Sequence, residues 1–438
     1  MTQNQTPTSA EREHAQNLLN FINDSPSPWH AVETSQKRLE AAGYTQLHEA
    51  DRWPRLNEDH GYYVIRGGSS LIAFRPGAMH PAESGFMIVG AHTDSPGLRI
   101  KPHGQSTEGR LIRLGVEIYG SPVIATFADR DLSFSGRISI KDPEGRILTR
   151  LLHFKEALVR LPSLAIHLNR GVNEDGLKFN KQSEVPLLFG QAWDGATGLQ
   201  ALRHLISESL SVEDASILGF ELNVHEVHSG QFWGARQEFI STGRIDNLSS
   251  CHAALGALLD ARAGNATKLI GFFDHEEVGS ESHQGAAGSF LSKVLGRISG
   301  PDPESLDRAL ARSLFLSADA AHAYHPSFPS AYEPLHQVHV NHGPVIKFNS
   351  NHRYATEGPQ AALLADLAQS LGLNIQTYVH RNDLGCGSTI GPIASARLGI
   401  PTIDLGIPMW SMHSIRESAG VCDALSLKIL LQAALSGA

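Results

Sequence analysis

Residues able to hold a divalent cation recur in this sequence directly after short apolar runs. Phe86-Met-Ile-Val-Gly-Ala leads into His92-Thr-Asp94, and Leu269-Ile-Gly-Phe-Phe leads into Asp274-His-Glu276-Glu277. Ser313-Leu-Phe-Leu-Ser-Ala leads into Asp319-Ala-Ala-His322, and the run from Thr402 is followed by Met-Trp-Ser-Met-His413. A fifth group, Arg244-Ile-Asp246-Asn-Leu, sits just before a helical stretch. Histidines and carboxylates without a thiolate suit zinc, cobalt or manganese at a catalytic site. Two such ions about 3.5–4 Å apart need a carboxylate to bridge them. They also need a histidine and an acid on each side, with one further acid to act as base, and this set supplies that number. Each piece alone has a plainer reading: a surface His-x-Asp pair, a solvated Glu-Glu, a helix N-cap at Asp319. Their repetition at strand ends favours the metal reading, because acids crowded there would repel one another unless cations neutralised them.

The elements that must position these residues alternate in a regular way. From residue 237 onward, apolar runs at 268–273, 313–318, 375–379 and 401–405 alternate with helical stretches at 248–262, 283–296, 358–371, 388–398 and 423–436. This predicts an α/β fold, a largely parallel sheet with helices on both faces. In such sheets ligands bind outside the carboxyl ends of the strands, so the acids and histidines should converge in one cleft. The N-terminal part predicts helices at 11–23 and 30–42, the second closed by Gly43, then strands at 62–66 and 70–74 around Gly67-Gly68, and the buried run from 86. Between 101 and 236 the texture changes. Short strand-like segments (111–118, 122–127, 132–140, 146–153) lie between Gly, Pro, Asp and Asn turns, with one helical stretch at 196–210. The expected organisation is a discontinuous catalytic domain, 1–100 and 237–438, carrying an inserted β-rich domain at 101–236.

Composition narrows the function classes. The 36 Lys+Arg against 45 Asp+Glu give a net charge of −9, which argues against a nucleic-acid partner. No window approaches the roughly 18 apolar residues of a membrane span, and the polar start lacks the regions of a secretory signal. Cys251, Cys386 and Cys422 are odd in number and widely spaced, so the expected setting is the cytoplasm with reduced thiols. The 23 histidines, against 17 Phe and 5 Met, again direct attention to metal chemistry.

The strings Gly90-Ala-His-Thr-Asp-Ser-Pro, Arg244-Ile-Asp-Asn-Leu, His275-Glu-Glu-Val-Gly-Ser, Ser317-Ala-Asp-Ala-Ala-His-Ala and Met412-His-Ser-Ile-Arg-Glu closely resemble the M18 family of metalloaminopeptidases, of which aspartyl aminopeptidase is the best known member. Pro162-Ser-Leu-Ala-Ile-His-Leu-Asn-Arg, Gly343-Pro-Val-Ile-Lys-Phe-Asn-Ser and Arg381-Asn-Asp-Leu-Gly-Cys-Gly-Ser extend the resemblance over nearly the whole chain. It implies a hydrolase that releases N-terminal residues, with a preference for Asp or Glu, from peptides with a free N-terminus. Two divalent ions per subunit are implied, zinc first, with cobalt or manganese as alternatives. Asp246 would bridge them, with His92 and Asp319 on one ion, Glu277 and His413 on the other, and Glu276 as general base. Asp94 is placed to orient His92 from behind. His167 lies in a segment that the family uses near the active site of an adjoining subunit. Lys347 is the candidate for binding an acidic side chain, with His322, Arg353 and Tyr354 as further candidates for the same pocket. The inserted domain is expected to serve dimerisation, and the assembly to be a shell of twelve identical subunits.

Other motifs carry less. His225-Glu-Val-His228 lacks the His-Glu-x-x-His spacing of zinc proteases and is read as non-catalytic. Gly385-Cys-Gly-Ser-Thr contains no Gly-x-Ser-x-Gly elbow; Cys386 reads as a small residue in a tight loop, and Asp383 as structural or supporting. Two rival functions fit parts of the pattern: a two-metal deacylase or carboxypeptidase, and a non-enzymatic scaffold member of the same family. The scaffold is disfavoured because every expected ligand and the base are present.

Overall fold

The computed structural model describes residues 6–192 and 197–437. Residues 1–5 of the polar start, and Ala196, expected to open a helix, lie outside the described residues. The fold is α/β, as the alternation predicts. The chain divides into two compact units, one comprising 1–94, 230–412 and 417–438, the other 95–229 with 413–416. The unit boundaries therefore fall six or seven residues earlier than the change of texture in the sequence, and four residues near the C-terminus join the second unit.

The first unit holds a nine-stranded sheet in the spatial order Thr45–Gln46, Tyr62–Arg66, Ser70–Arg75, Thr267–Phe273, Phe86–His92, Leu314–Ala318, Thr402–Gly406, Val345–Phe348, Gln376–Val379. Its four central strands, from Thr267–Phe273 to Thr402–Gly406, run parallel. All residues of Thr267–Phe273 and Thr402–Gly406 are buried, which is why their apolar residues do not alternate with exposed polar ones. Helices Ser9–Asn23, Ile245–Asp260 and Val421–Ser436 contribute to one apolar core. Phe290–Ser299 and Ile390–Leu398 contribute to another. A five-stranded sheet of very short strands, Gln231–Trp233, Phe239–Thr242, Glu417–Gly420, Pro408–Trp410 and Ala321–His322, completes this unit.

The second unit is built on an antiparallel six-stranded sheet in the order Ile147–His153, Leu132–Lys141, Ile217–Glu226, Gly97–Glu108, Leu111–Tyr119, Leu187–Gln191. Its own core includes Phe134, Leu187, Leu202 from helix Gly198–Leu210, and Ile415.

Two sequence expectations are corrected. The strand expected at 122–127 is a 3-10 turn at Ile124–Phe127, closed by the Thr126 amide and hydroxyl on the Val123 carbonyl; Pro122 has no amide to give a sheet ladder. The helix expected at 283–296 runs from Phe290 to Ser299. Residues 280–288 fold as hydrogen-bonded turns because Gly285 packs against Ser280, whose carbonyl oxygen would lie 2.1 Å from an added Cβ. Among the described residues no helix is long and apolar enough to cross a membrane, and the three cysteines form no disulfide.

Candidate metal centre

His92 ends the strand Phe86–His92 and is 1% exposed. Its Nδ1 lies 3.0 Å from the Asp94 carbonyl oxygen. A carbonyl only accepts, so Nδ1 carries a proton, and in the neutral ring the lone pair is left on Nε2. That Nε2 lies 3.5 Å from Asp246 Oδ1, 3.7 Å from Asp319 Oδ2 and 4.0 Å from Glu276 Oε2.

Each of these acids is set by local structure. Asp319 directly follows the strand Leu314–Ala318 and donates its amide to the Leu405 carbonyl. The neighbouring strand end must come very close here: a Cβ on Gly406 would sit 1.9 Å from the Asp319 carbonyl oxygen. Asp246 is 3% exposed and lies in a non-helical first turn of Ile245–Asp260, preceded by Arg244 at φ 62°. Its peptide bond to Asn247 is cis. The Asp246 amide donates to Glu417 Oε2 at 3.1 Å, and Asn247 Nδ2 to the Ala318 carbonyl at 2.8 Å. Glu276 and Glu277 occupy a 3-10 turn just past Thr267–Phe273, entered through His275 at φ 65°. The Asp94 carboxylate accepts both of their amides, Oδ1 from Glu276 and Oδ2 from Glu277, each at 3.1 Å. Asp94 thus fixes the imidazole through its carbonyl and the two glutamates through its carboxylate.

The charges are in conflict without a cation. Burial, reinforced by Asp319, Asp94 and Asp246, pushes the Glu276 carboxyl up to about 8, against the opposing pull of His92. Burial and the Asp246 charge push Glu277 well above the usual carboxylate range. Burial alone would lower His92, but hydrogen bonding to Asp246, Asp319 and Asp94 outweighs it and raises the imidazole well above its ordinary value. Donor atoms of His92, Asp246 and Asp319 lie within 4.8 Å of one another, as do those of His92, Glu276 and Glu277. One imidazole nitrogen among carboxylate oxygens is the donor chemistry of zinc or manganese. The residues present therefore fit a divalent cation. Buried Cys251 does not compete: its Sγ donates to the His92 carbonyl, and burial pushes the thiol up.

The remaining sequence candidates are distributed as follows. Lys347 is 2% exposed and donates to Asp319 Oδ1 and to the Ala320 carbonyl, both at 3.1 Å, with its ammonium 5.1 Å from the Tyr354 ring centre. Tyr354 is buried, and His322 packs against Tyr378, 5.8 Å between ring centres. Burial, with Lys347 and His380, pushes His322 down to about 4. Arg353 is exposed and donates to the carbonyls of Cys386 and Gly387. His413 belongs to the second unit, where its Nδ1 meets the Ser121 carbonyl at 3.1 Å. His167 is exposed in the second unit, flanked by Leu164, Ile166 and Leu168, which are 63%, 46% and 75% exposed. Asp383 pairs with Arg381 on the surface. Sequence reasoning missed Glu417, 1% exposed, which holds the Asp246 backbone. The available signal was its place directly after Arg416 in the His413 motif.

Residues 21–434 match the family model described as Aminopeptidase I zinc metalloprotease (M18). The chain is 45% identical over 422 residues to a probable M18 family aminopeptidase 2 of Pseudomonas aeruginosa strain LESB58, covering 95% of this chain and 97% of that protein. It is 43% identical to the protein of the same name from Azotobacter vinelandii, with the same coverage. Among solved structures, one in a cryo-EM structure of the Ape4 and Nbr1 complex superposes with a TM-score of 0.94 at 35% identity, covering 98% of this chain and 86% of that one. The S. cerevisiae mApe1 dodecamer superposes at 0.85 and 27% identity, covering 97% of both chains.

Proposed function

The chain belongs to the M18 family of metalloaminopeptidases, and from that premise we propose that it removes N-terminal residues, preferring Asp and Glu, by a centre of two divalent ions. The observation that carries this reading is the convergence of Asp246, Asp319 and Glu276 within 4.0 Å of His92 Nε2. Asp246 would serve both ions, His92 and Asp319 would complete one set, and Glu277 and His413 the other. Zinc is the first candidate, with cobalt and manganese acceptable to the same donors. Cations held there supply a polarised scissile carbonyl and a water whose pKa is brought toward neutrality.

The chain's own residues do the rest. Glu276 takes the proton of the attacking water as the new C–O bond forms, and returns it to the amine nitrogen as the C–N bond breaks. Asp94 keeps that carboxylate and the His92 ring in place. Lys347 has three N–H donors, and one remains beyond those given to Asp319 and Ala320. That donor is the proposed partner of an acidic side chain, with His322, Tyr354 and Arg353 shaping the pocket. His167 is proposed to act at the active site of an adjoining subunit. The inserted unit is proposed to form dimers, and six dimers a cytoplasmic homododecamer, like the mApe1 dodecamer in oligomeric state.

Glu276→Gln tests the assignment: turnover should fall by about 10²–10⁴-fold while bound zinc stays unchanged. Full activity in that variant would overturn the base. Acetylating the substrate's N-terminus should abolish hydrolysis; a deacylase would tolerate or require it.

A further inference from the structure

We infer that Glu226 of the inserted unit is a positioning residue for metal binding, acting through Arg416 to hold the segment that carries His413. This deepens the reading above and rests on its assignment of His413 as a ligand.

Residues 413–416 belong to the second unit although the chain on either side belongs to the first. Their anchorage is extensive. The Val123 amide donates to the His413 carbonyl at 2.9 Å, and the Ile415 amide to Thr126 Oγ1 at 3.0 Å. The Ile415 side chain is 7% exposed within the second unit's core. Arg416 then closes the segment: Nη1 donates to Glu226 Oε2 at 2.7 Å and Nη2 to the Ser229 carbonyl at 2.9 Å. The other Glu226 oxygen accepts from Arg130 Nη1 at 3.0 Å. The Glu226 side chain is 5% exposed. A buried carboxylate between two guanidiniums, with charge-assisted bonds to both, has little freedom to move.

The end product of this anchorage is a defined imidazole. His413 Nδ1 donates to the Ser121 carbonyl, so the lone pair resides on Nε2. His92 is prepared by the same device, with the Asp94 carbonyl in the role of Ser121. Partners that orient a metal-binding imidazole typically control affinity about 10–100-fold. The motif His225-Glu226-Val227-His228 therefore serves the metal centre through its glutamate, without either of its histidines acting as a ligand.

A purely structural ion pair would leave zinc affinity unchanged, and such pairs often contribute little net stability. Zinc titration of metal-stripped full-length protein, alongside thermal unfolding, separates the two. Glu226→Gln should weaken the zinc site that depends on His413 by about 10–100-fold and leave the other unchanged. Arg130→Ala removes one of the two guanidiniums on Glu226 but leaves the Arg416 pair in place, and should weaken that site less than Glu226→Gln does. Arg416→Lys keeps the charge but loses the two-pronged grip, and should weaken the same site as Glu226→Gln. It takes over the test if Glu226→Gln does not fold. Unchanged zinc binding in folded Glu226→Gln or Arg416→Lys overturns the proposal, as does equal weakening in Arg130→Ala. His413→Ala should eliminate one of the two sites and so identify the one that Glu226→Gln weakens; two intact sites in that variant would refute the ligand assignment itself.

Discussion

Asp94 binds no cation in this account, yet two parts of the site rest on it: its carbonyl fixes the His92 tautomer, and its two carboxylate oxygens hold the Glu276 and Glu277 amides. Asp94→Asn replaces one acceptor with an NH2 group that must face a backbone N–H. Zinc affinity should fall about 10–100-fold, and Asp94→Glu should not restore it because the added methylene displaces both bonds; titration with zinc measures this. Lys347 has a different signature. Lys347→Ala should raise KM for Asp and Glu substrates at least tenfold more than for Leu substrates, roughly the worth of one charge-assisted hydrogen bond. Steady-state kinetics on matched aminoacyl substrates checks it, and equal effects on all substrates would assign Lys347 to Asp319 alone. These residues differ in how visible they are to sequence reading. His92, Asp94, Glu276, Glu277 and Asp319, which the structure gathers, were legible because each stands at the end of a buried strand or within four residues of it. Glu417 and Glu226 were not, because their effects pass through an amide of Asp246 and a guanidinium of Arg416, contacts between residues 171 and 190 positions apart.

At the scale of elements, the long buried strands of the nine-stranded sheet were readable from apolar runs. The strands of the five-stranded sheet, two to four residues each, were not, since so short a stretch has no measurable period. Helix Ser9–Asn23 was readable from its spacing, but not what it does to acid stability. Its His14 packs against His252 of helix Ile245–Asp260, 4.9 Å between ring centres. Burial, with Lys428 and Arg38 nearby, pushes His14 down to about 4, and burial together with His14 and Arg38 pushes His252 well below its ordinary value. In the unfolded chain both would titrate near 6.5. Below that pH the unfolded chain takes up protons that the folded chain refuses, so stability falls as pH drops from about 6.5 toward 4 and is indifferent to these groups above about 7. The His14 shift corresponds to about 3 kcal/mol. Denaturant unfolding at pH 7 and pH 5 should show part of this loss in the natural protein, about 2 kcal/mol from His14, and His14→Leu should reduce it; an equal loss in both would assign acid sensitivity elsewhere.

At the scale of the whole molecule, the inserted unit presents exposed Leu164, Ile166 and Leu168 around His167. Scattered apolar side chains are ordinary on a surface, but three within five residues suit a contact with another subunit. Light scattering should give twelve times the chain mass, and His167→Ala should lose activity while keeping that mass and both metals. Normal kinetics in that variant would remove His167 from the mechanism. The central claim is that ligands from distant stretches of chain hold two cations around Asp246. A crystal of zinc-loaded protein, measured at the zinc absorption edge, tests it most directly. The account predicts two anomalous peaks per subunit, one beside His92 and Asp319 and one beside Glu277 and His413, both touching Asp246. A single peak, or peaks away from Asp246, would contradict it.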